Sequence, residues 1–182
     1  MAHDDWLVGD RRSAAAERIY AAATELIARD GLESFDMAEL QEKVHCSRAT
    51  LYRHVGGKSQ VRDAVLTREA ERIVDAVRAA VSGLEGRDRT VTAVVAALGH
   101  IRADPIGQAL LHSMRGASEL QWVGRSTLPV TLAAELTGIA RDDDEAAGWI
   151  VRIVLALLFW PVGDPVAERA MIERFLGAPL DR

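Results

Sequence analysis

Residues 47–58 have the sequence Ser-Arg-Ala-Thr-Leu-Tyr-Arg-His-Val-Gly-Gly-Lys. Ser47 is a favoured N-cap residue, and neither glycine nor proline interrupts the chain between Arg48 and Val55. The segment therefore predicts a short helix that ends at Gly56-Gly57. On such a helix Leu51 and Val55 share one face, so they can pack inward while the remaining faces stay in solvent.

A second short helix is predicted immediately before this one. Asp36 and Glu39 have the spacing of a capping-box-like start, with Asp36 at N-cap and Glu39 at N3. Only His45 and Cys46 separate the end of this helix from Ser47. Two short helices joined by so tight a turn are typical of a helix-turn-helix, here at roughly residues 36–54.

Two longer helices flank this pair. The first is indicated over roughly 11–29 by an apolar stripe with helical spacing, and Gly31 can supply its C-terminal cap. The stripe consists of Ile19, Ala22, Ala23, Leu26 and Ile27. The other begins at Lys58 and continues to about residue 82, and it connects an N-terminal domain of residues 1–57 to a C-terminal domain of residues 58–182.

The remainder of the chain has helical periodicity and no convincing strand pair, so the fold class is predicted to be all-α. Most of its helices are marked by an acidic cap, by proline or by both. The expected helices are Thr90–Arg102 capped by Asp88, a short helix after Asp104-Pro105, residues 118–138 with a break at Gly124 or Pro129, an apolar helix from Asp142–Asp144 to Pro161, and a last helix from Asp164-Pro165 to Leu176.

The charge distribution is uneven. The formal net charge is −5, yet the stretch from Lys43 to Arg62 contains five basic residues and no acidic one. A local basic patch on an acidic protein is what a DNA contact requires, but a solvated helix face has the same composition. Charge alone leaves both interpretations open.

The composite pattern resembles the tetracycline-repressor (TetR) family. The resemblance covers about Ile19 to Val65, and it rests on the apolar stripe of the first predicted helix together with Gly31, Phe35, Leu40, Ser47, Thr50, Leu51, Tyr52, His54, Val55 and Lys58. It implies an N-terminal three-helix domain with a helix-turn-helix, and a larger C-terminal helical domain that dimerises and binds a small ligand. Two positions depart from the family pattern: His45 replaces a common turn glycine, and Gln41 replaces a common small residue.

The resemblance also implies which residues contact DNA. The helix at about 48–54 would be the recognition helix, with Arg48, Ala49, Thr50 and Arg53 at or near the bases. Arginine offers a bidentate fork to guanine, while Ala and Thr offer methyl surface to thymine. Tyr52, His54 and Lys58 match positions that contact phosphates. The partner would be a pseudo-palindromic double-stranded DNA operator.

For the C-terminal domain the predictions are a dimer interface and an effector pocket. Residues 144–160 are apolar nearly all round and residues 165–176 have a narrower stripe, which together suit a homodimer; a central core helix in a monomer is the alternative. Candidates for contacts to a small-molecule effector of unknown identity are His100, Leu111, Met114, Trp122 and Trp149, each of which is equally suited to the core.

Other function classes have little support in the sequence. No catalytic constellation and no metal-ligand spacing stand out, so neither an enzyme nor a metal or cofactor is predicted. Gly57-Lys58-Ser59 lacks the remainder of a phosphate-binding loop, and Cys46 is expected to be a buried structural thiol.

The cellular location and the kind of regulation are predicted from weaker sequence signals. The apolar run Ile153–Trp160 is too short to cross a bilayer, and a cytoplasmic location is expected. The function predicted is a transcriptional regulator, a repressor released by an effector. An activator, and a helical protein-interaction module without DNA binding, are the alternatives.

Overall fold

The computed structural model describes residues 5–114, 127–140 and 142–176 of the 182-residue chain. Every regular element within those ranges is an α-helix, which confirms the all-α prediction. The helices are α1 (Asp5–Asp30), α2 (Met37–Val44), α3 (Arg48–Val55), α4 (Lys58–Ala80), α5 (Gly86–Ala103), α6 (Pro105–Ser113), α7 (Thr127–Thr137), α8 (Asp144–Phe159) and α9 (Pro165–Leu176). None of the helices in these ranges is long and apolar enough to span a membrane.

The chain divides into two compact units, Met1–Glu69 and Ala70–Arg182. The sequence placed the division at residues 57 and 58, at the start of α4, whereas the first half of α4 belongs to the N-terminal unit. The reason is packing: Val61 and Val65 are fully buried. Arg68 of α4 also binds Glu17 of α1 through two hydrogen bonds of 2.5 and 2.6 Å.

In the N-terminal unit α1 packs against α2 and α3, which also contact each other. The stripe predicted for α1 is buried in full, from Ile19 to Ile27. α1 begins at Asp5 rather than near residue 11, and the predicted stripe lies in its second half. Gly31 ends it as predicted, with φ of 87° and a 2.8 Å hydrogen bond from its N–H to the Ile27 carbonyl.

In the C-terminal unit α5 is the central helix and packs against α6, α7, α8 and α9. Its two inward faces belong to different apolar clusters. The larger cluster joins α5 to α8 and α9 and contains Val91, Val94, Leu98, Ile150, Leu157, Ile172 and Leu176. The other joins α5 to α4 and α7 through Val77, Val81, Ala93 and Leu136.

Acidic caps fix most helix starts in this unit, as the sequence predicts. Asp104 accepts a hydrogen bond from the Gly107 N–H, Asp143 from Ala146, and Asp164 from Val166 and Ala167. The cap predicted at Asp88 is wrong: α5 begins at Gly86, so Asp88 lies inside its first turn. An acidic side chain is favoured at both places by the helix dipole, so the sequence does not distinguish them.

Of the helix expected over residues 118–138, the described part is α7 from Thr127 to Thr137, and residues 118–126 lie outside the described ranges. Pro129 lies in the first turn of this helix, where a missing N–H costs nothing. Gly124, the other candidate for the break, lies outside the described residues.

A partly buried ion pair holds the α8–α9 connection against α5. Arg102 donates to both carboxylate oxygens of Glu168, at 2.6 and 2.9 Å, and also to the Leu157 carbonyl at 2.8 Å. Glu168 additionally accepts a hydrogen bond from the Val162 N–H. The hydrogen bonds from Arg102 hold the pKa of Glu168 below its usual value of 4.5. Glu168 therefore links the start of α9 to the end of α5 and to the α8–α9 connection.

Replacing Glu168 with glutamine is expected to lower the free energy of unfolding by about 1–2 kcal/mol at pH 7. Because the pKa of Glu168 is depressed in the folded state, the difference from wild type should be full above about pH 4.5 and vanish as the pH falls through the folded pKa. Urea denaturation of the variant and of the wild type over this pH range measures the difference in their free energies of unfolding. Glu173→Gln, which removes the exposed pair with Arg169, is the control and should cost less than about 0.5 kcal/mol.

Candidate nucleic-acid interface

Side-chain caps at both helix starts define the α2-turn-α3 unit. Asp36 accepts a 2.5 Å hydrogen bond from the Ala38 N–H, and Ser47 accepts one of 3.2 Å from the Thr50 N–H. Both predicted N-caps are therefore confirmed. The second half of the predicted capping box is absent, because the Glu39 carboxylate pairs with Arg29 of α1. That pair attaches the start of α2 to the end of α1.

The turn between α2 and α3 depends on His45. Its φ of 53° and ψ of 46° place it in the left-handed region, and its N–H bonds to carbonyls at the end of α2. Glycine adopts this conformation without strain, which explains why glycine is common at this position in the family pattern. Cys46 follows and bonds through its N–H to the Gln41 carbonyl. Its side chain is half-buried, so the expectation of a buried thiol is wrong.

Replacing His45 with glycine is expected to stabilise the α2–α3 unit by about 0.5–1 kcal/mol, because glycine adopts positive φ without a Cβ clash. Hydrogen exchange of the α2 and α3 amides in the full chain measures this local stability. His45→Ala is the matched control: it keeps the strain and should bring no gain. Slower exchange in both variants would show that loss of the imidazole, and not backbone strain, is responsible.

α3 has the inward and outward faces that the sequence predicts. Leu51 and Val55 are buried against the rest of the unit. The outward residues are Arg48, Ala49, Tyr52 and Arg53, which are exposed, and Thr50 and His54, which are half-buried. All six residues of this helix that are predicted to contact DNA are thus at least partly accessible, while the opposite side of the helix is buried against the rest of the unit.

Two contacts order the outward face of α3. The Arg48 guanidinium lies over the Tyr52 ring, 5.4 Å from its centroid, which is a cation–π geometry. The Thr50 hydroxyl lies 2.9 Å from that of Ser47. The Arg48 head is therefore held near α3 without a carboxylate partner among the described residues, and its donors remain available to a base or a phosphate.

The cations that flank α3 have oxygen partners that the sequence analysis missed. The Lys58 ammonium donates to the Glu33 carbonyl at 3.0 Å, and Arg62 donates to the Glu33 carboxylate at 2.9 Å. Lys43 pairs with Glu25 at 2.8 Å. Glu25 and Glu33 precede the basic window in sequence by ten residues or more, so only the packing of α1 on the rest of the unit reveals these pairs.

This geometry agrees with comparisons to known proteins. Residues 19–65 match the family described as bacterial regulatory proteins, tetR family. Along 97% of its length the chain is 32% identical to an HTH-type transcriptional regulator present in two Mycobacterium tuberculosis strains, and it covers 90% of that protein. The chain belongs to the TetR family. It is a DNA-binding transcriptional regulator, as predicted.

One further relative and two solved structures extend the match. An HTH-type transcriptional regulator of Saccharopolyspora erythraea is 30% identical over 89% of this chain and 69% of its own. A TetR-like transcriptional regulator from Rhodococcus sp. RHA1 has the same fold, with a TM-score of 0.57 at 20% identity over 87% of this chain and 91% of the other. The TetR family repressor AlkX from a Dietzia strain gives 0.50 at 19% identity, over 87% and 92%.

The candidate effector residues of this TetR family protein lie in different surroundings. His100 on α5 and Leu111 on α6 are half-buried, and Met114 at the end of α6 is buried. Trp149 is 58% exposed on α8, so it is neither core nor enclosed within a single chain. Trp122 lies outside the described residues. Effector contact by the three residues on α5 and α6 stays a prediction.

One groove, of about 520 Å³, was not foreseen from the sequence. It lies where the start of α5 meets α9 and is lined by Leu84, Arg87, Asp88, Val91, Thr92, Arg169 and Glu173. Its charged groups bind one another: Arg87 donates to the Glu173 carbonyl and Arg169 to the Glu173 carboxylate. Effector pockets are mostly apolar, so this polar groove does not match the predicted pocket.

Proposed function

We propose that this TetR family regulator binds a pseudo-palindromic operator as a homodimer and acts as a repressor that a small-molecule effector releases. The observation that carries DNA recognition is the outward face of α3. It presents an arginine and a tyrosine without carboxylate partners in the described part of the chain, next to the methyl groups of Ala49 and Thr50. These groups suit guanine, thymine and phosphate. Two copies of α3 would enter successive major grooves about one helical turn apart.

Dimerisation is supported by where apolar surface remains exposed. Among the residues whose burial the structure describes, eight large hydrophobic residues are highly exposed, and six of these lie on α8, on α9 or between them: Trp149, Phe159, Trp160, Val162, Val166 and Phe175. Exposed apolar patches of this kind are typical of subunit interfaces. Members of the family dimerise, and the region agrees with the predicted interface at 144–160 and 165–176.

α8 has one buried side and one exposed side, which its nearly uniform apolar sequence does not indicate. Ala147, Ile150 and Leu157 are buried, while Trp149, Ala156 and Phe159 are exposed on another side. In the single chain the helix therefore packs on the core with one side only. A second copy of the chain would cover the exposed side and restore burial there.

Effector control is supported by the contacts of α6. Asp104 is buried, caps α6 through the Gly107 N–H, and also pairs with Arg72 of α4. The first half of α4 belongs to the same unit as α3, and only two residues separate the two helices. A ligand that moves α6 would therefore act on α4 and penalise the DNA-bound state. A difference of a few kcal/mol between the two states is enough to release the operator.

The test is selection of bound duplexes from random DNA by the purified protein, followed by sequencing of the bound fraction. Enrichment of an inverted repeat is expected, and the enriched duplex then serves as the probe for effector screens. Folded protein that enriches no sequence at low salt would contradict sequence-specific binding and favour a helical interaction module. Comparing transcription from a promoter that carries the enriched site, with and without the protein, separates repressor from activator.

A further inference from the structure

Glu33 binds both cations at the start of α4. Its carbonyl accepts a hydrogen bond from Lys58, and its carboxylate accepts one from Arg62. Lys58 and Arg62 are four residues apart and therefore share a face of the helix. Two residues, Gly56 and Gly57, separate Lys58 from the end of the recognition helix α3 at Val55. The N–H groups in the first turn of α4 would favour a phosphate at this end of the helix.

The position of Glu33 is fixed by the core. Its neighbours Leu32 and Phe35 are 2% and 1% exposed, and the Phe35 N–H bonds to the Gly31 carbonyl at 3.2 Å. The Glu33 carboxylate itself is 76% exposed, whereas the Arg62 side chain is 27% exposed. The loop thus holds an exposed carboxylate over a partly covered guanidinium.

The pairing changes where positive charge is available. Of the five basic residues between Lys43 and Arg62, three are bound to oxygen atoms of Glu25 or Glu33. Arg48 and Arg53 have no carboxylate partner within the described ranges. Positive charge without a carboxylate partner thus remains on Arg48 and Arg53 of α3, which also presents the side chains suited to bases, and on Lys58, whose partner is a neutral carbonyl.

We propose that Glu33 is an affinity-limiting residue, which weakens DNA binding by holding Arg62 away from the phosphates. This inference rests on the proposed function. Non-specific binding is almost entirely phosphate electrostatics, so each cation neutralised by the protein itself weakens it. Operator binding should weaken by a similar factor, because the base contacts by α3 add to it independently of Glu33.

The experiment measures binding of the full chain to its selected operator and to a random duplex over a range of salt concentrations. Glu33→Gln is expected to raise affinity for the random duplex about fivefold and to steepen its salt dependence by about one unit of slope per subunit. Affinity for the operator should rise by a similar factor, so the ratio of operator to random affinity should stay close to the wild-type value. Glu33→Gln/Arg62→Gln removes both charges of the pair and should return random-duplex binding close to the wild-type value.

Glu42→Gln is the matched control, since it removes one exposed acidic charge from α2 for which the described residues give no cationic partner. It should raise random-duplex affinity less than half as much. An equal effect of Glu42→Gln, or weaker binding by Glu33→Gln, would overturn the inference while leaving DNA binding intact. Wild-type protein that binds neither duplex would overturn both the inference and the proposed function.

Discussion

The double variant Trp149→Asp/Val166→Asp is expected to be a monomer of 19.8 kDa, while the wild-type protein has twice that mass. The two side chains are 58% and 77% exposed in the single chain, so the substitutions leave the core of the monomer intact. Asp at 166 falls in the first turn of α9, where a negative charge is favoured. In a two-fold interface the same changes bury four unpaired carboxylates, at several kcal/mol in total.

The loss of the dimer should abolish tight operator binding. One subunit retains a single recognition helix, so the second half-site no longer contributes and affinity should fall by at least about 100-fold. Sedimentation equilibrium measures the mass, and titration of the selected operator measures the affinity.

Leu128→Asp is the control for the dimer prediction. Leu128 is 64% exposed on α7, outside the apolar surface of α8 and α9, so this variant should remain dimeric. A folded double variant that still has the wild-type mass would show that the subunits associate through another surface.

Arg48→Ala is expected to weaken operator binding by roughly 1–3 kcal/mol per half-site, and so about 2–6 kcal/mol for the dimer. Its guanidinium is exposed and contacts the Tyr52 ring, so removing it should have little effect on folding. Selection of duplexes by the variant should show relaxed preference at one symmetric pair of operator positions. Retention of the full wild-type preference would mean that Arg48 does not contact a base.

Lys58→Ala distinguishes a base contact from a phosphate contact. The Lys58 ammonium donates one hydrogen bond to the Glu33 carbonyl, which leaves two of its hydrogens for a phosphate. The variant should weaken binding to all sequences alike and lower the salt slope by about one per subunit. A change in sequence preference would place Lys58 among the residues that contact bases.

The sequence identified the helix-turn-helix because its determinants are local. Asp36 and Ser47 act on backbone N–H groups within three residues, and Leu51 and Val55 are related by one helical turn. Short-range signals of this kind can be identified without knowledge of the rest of the fold. The same holds for Asp104 and Asp164 in the C-terminal unit.

Interactions between distant residues were not accessible in this way. Glu39 has the spacing of a capping box, yet it binds Arg29, and the cations beside α3 bind Glu25 and Glu33. Charge counted along the sequence treats Lys43–Arg62 as uniformly basic, although Coulomb interactions depend on separation in space. The exposure of Trp149 could not be predicted for the same reason. In a helix that is apolar nearly all round, the sequence does not indicate which face the rest of the chain leaves exposed.

The sequence by itself therefore determined the helices, their caps and the recognition helix, since these follow from hydrogen bonds and periodicity within a few residues. Only the tertiary structure decided which cations of the N-terminal unit remain free, which half of α4 joins that unit, and which side of α8 stays exposed. Each of these depends on which residues distant in sequence become neighbours when the helices pack.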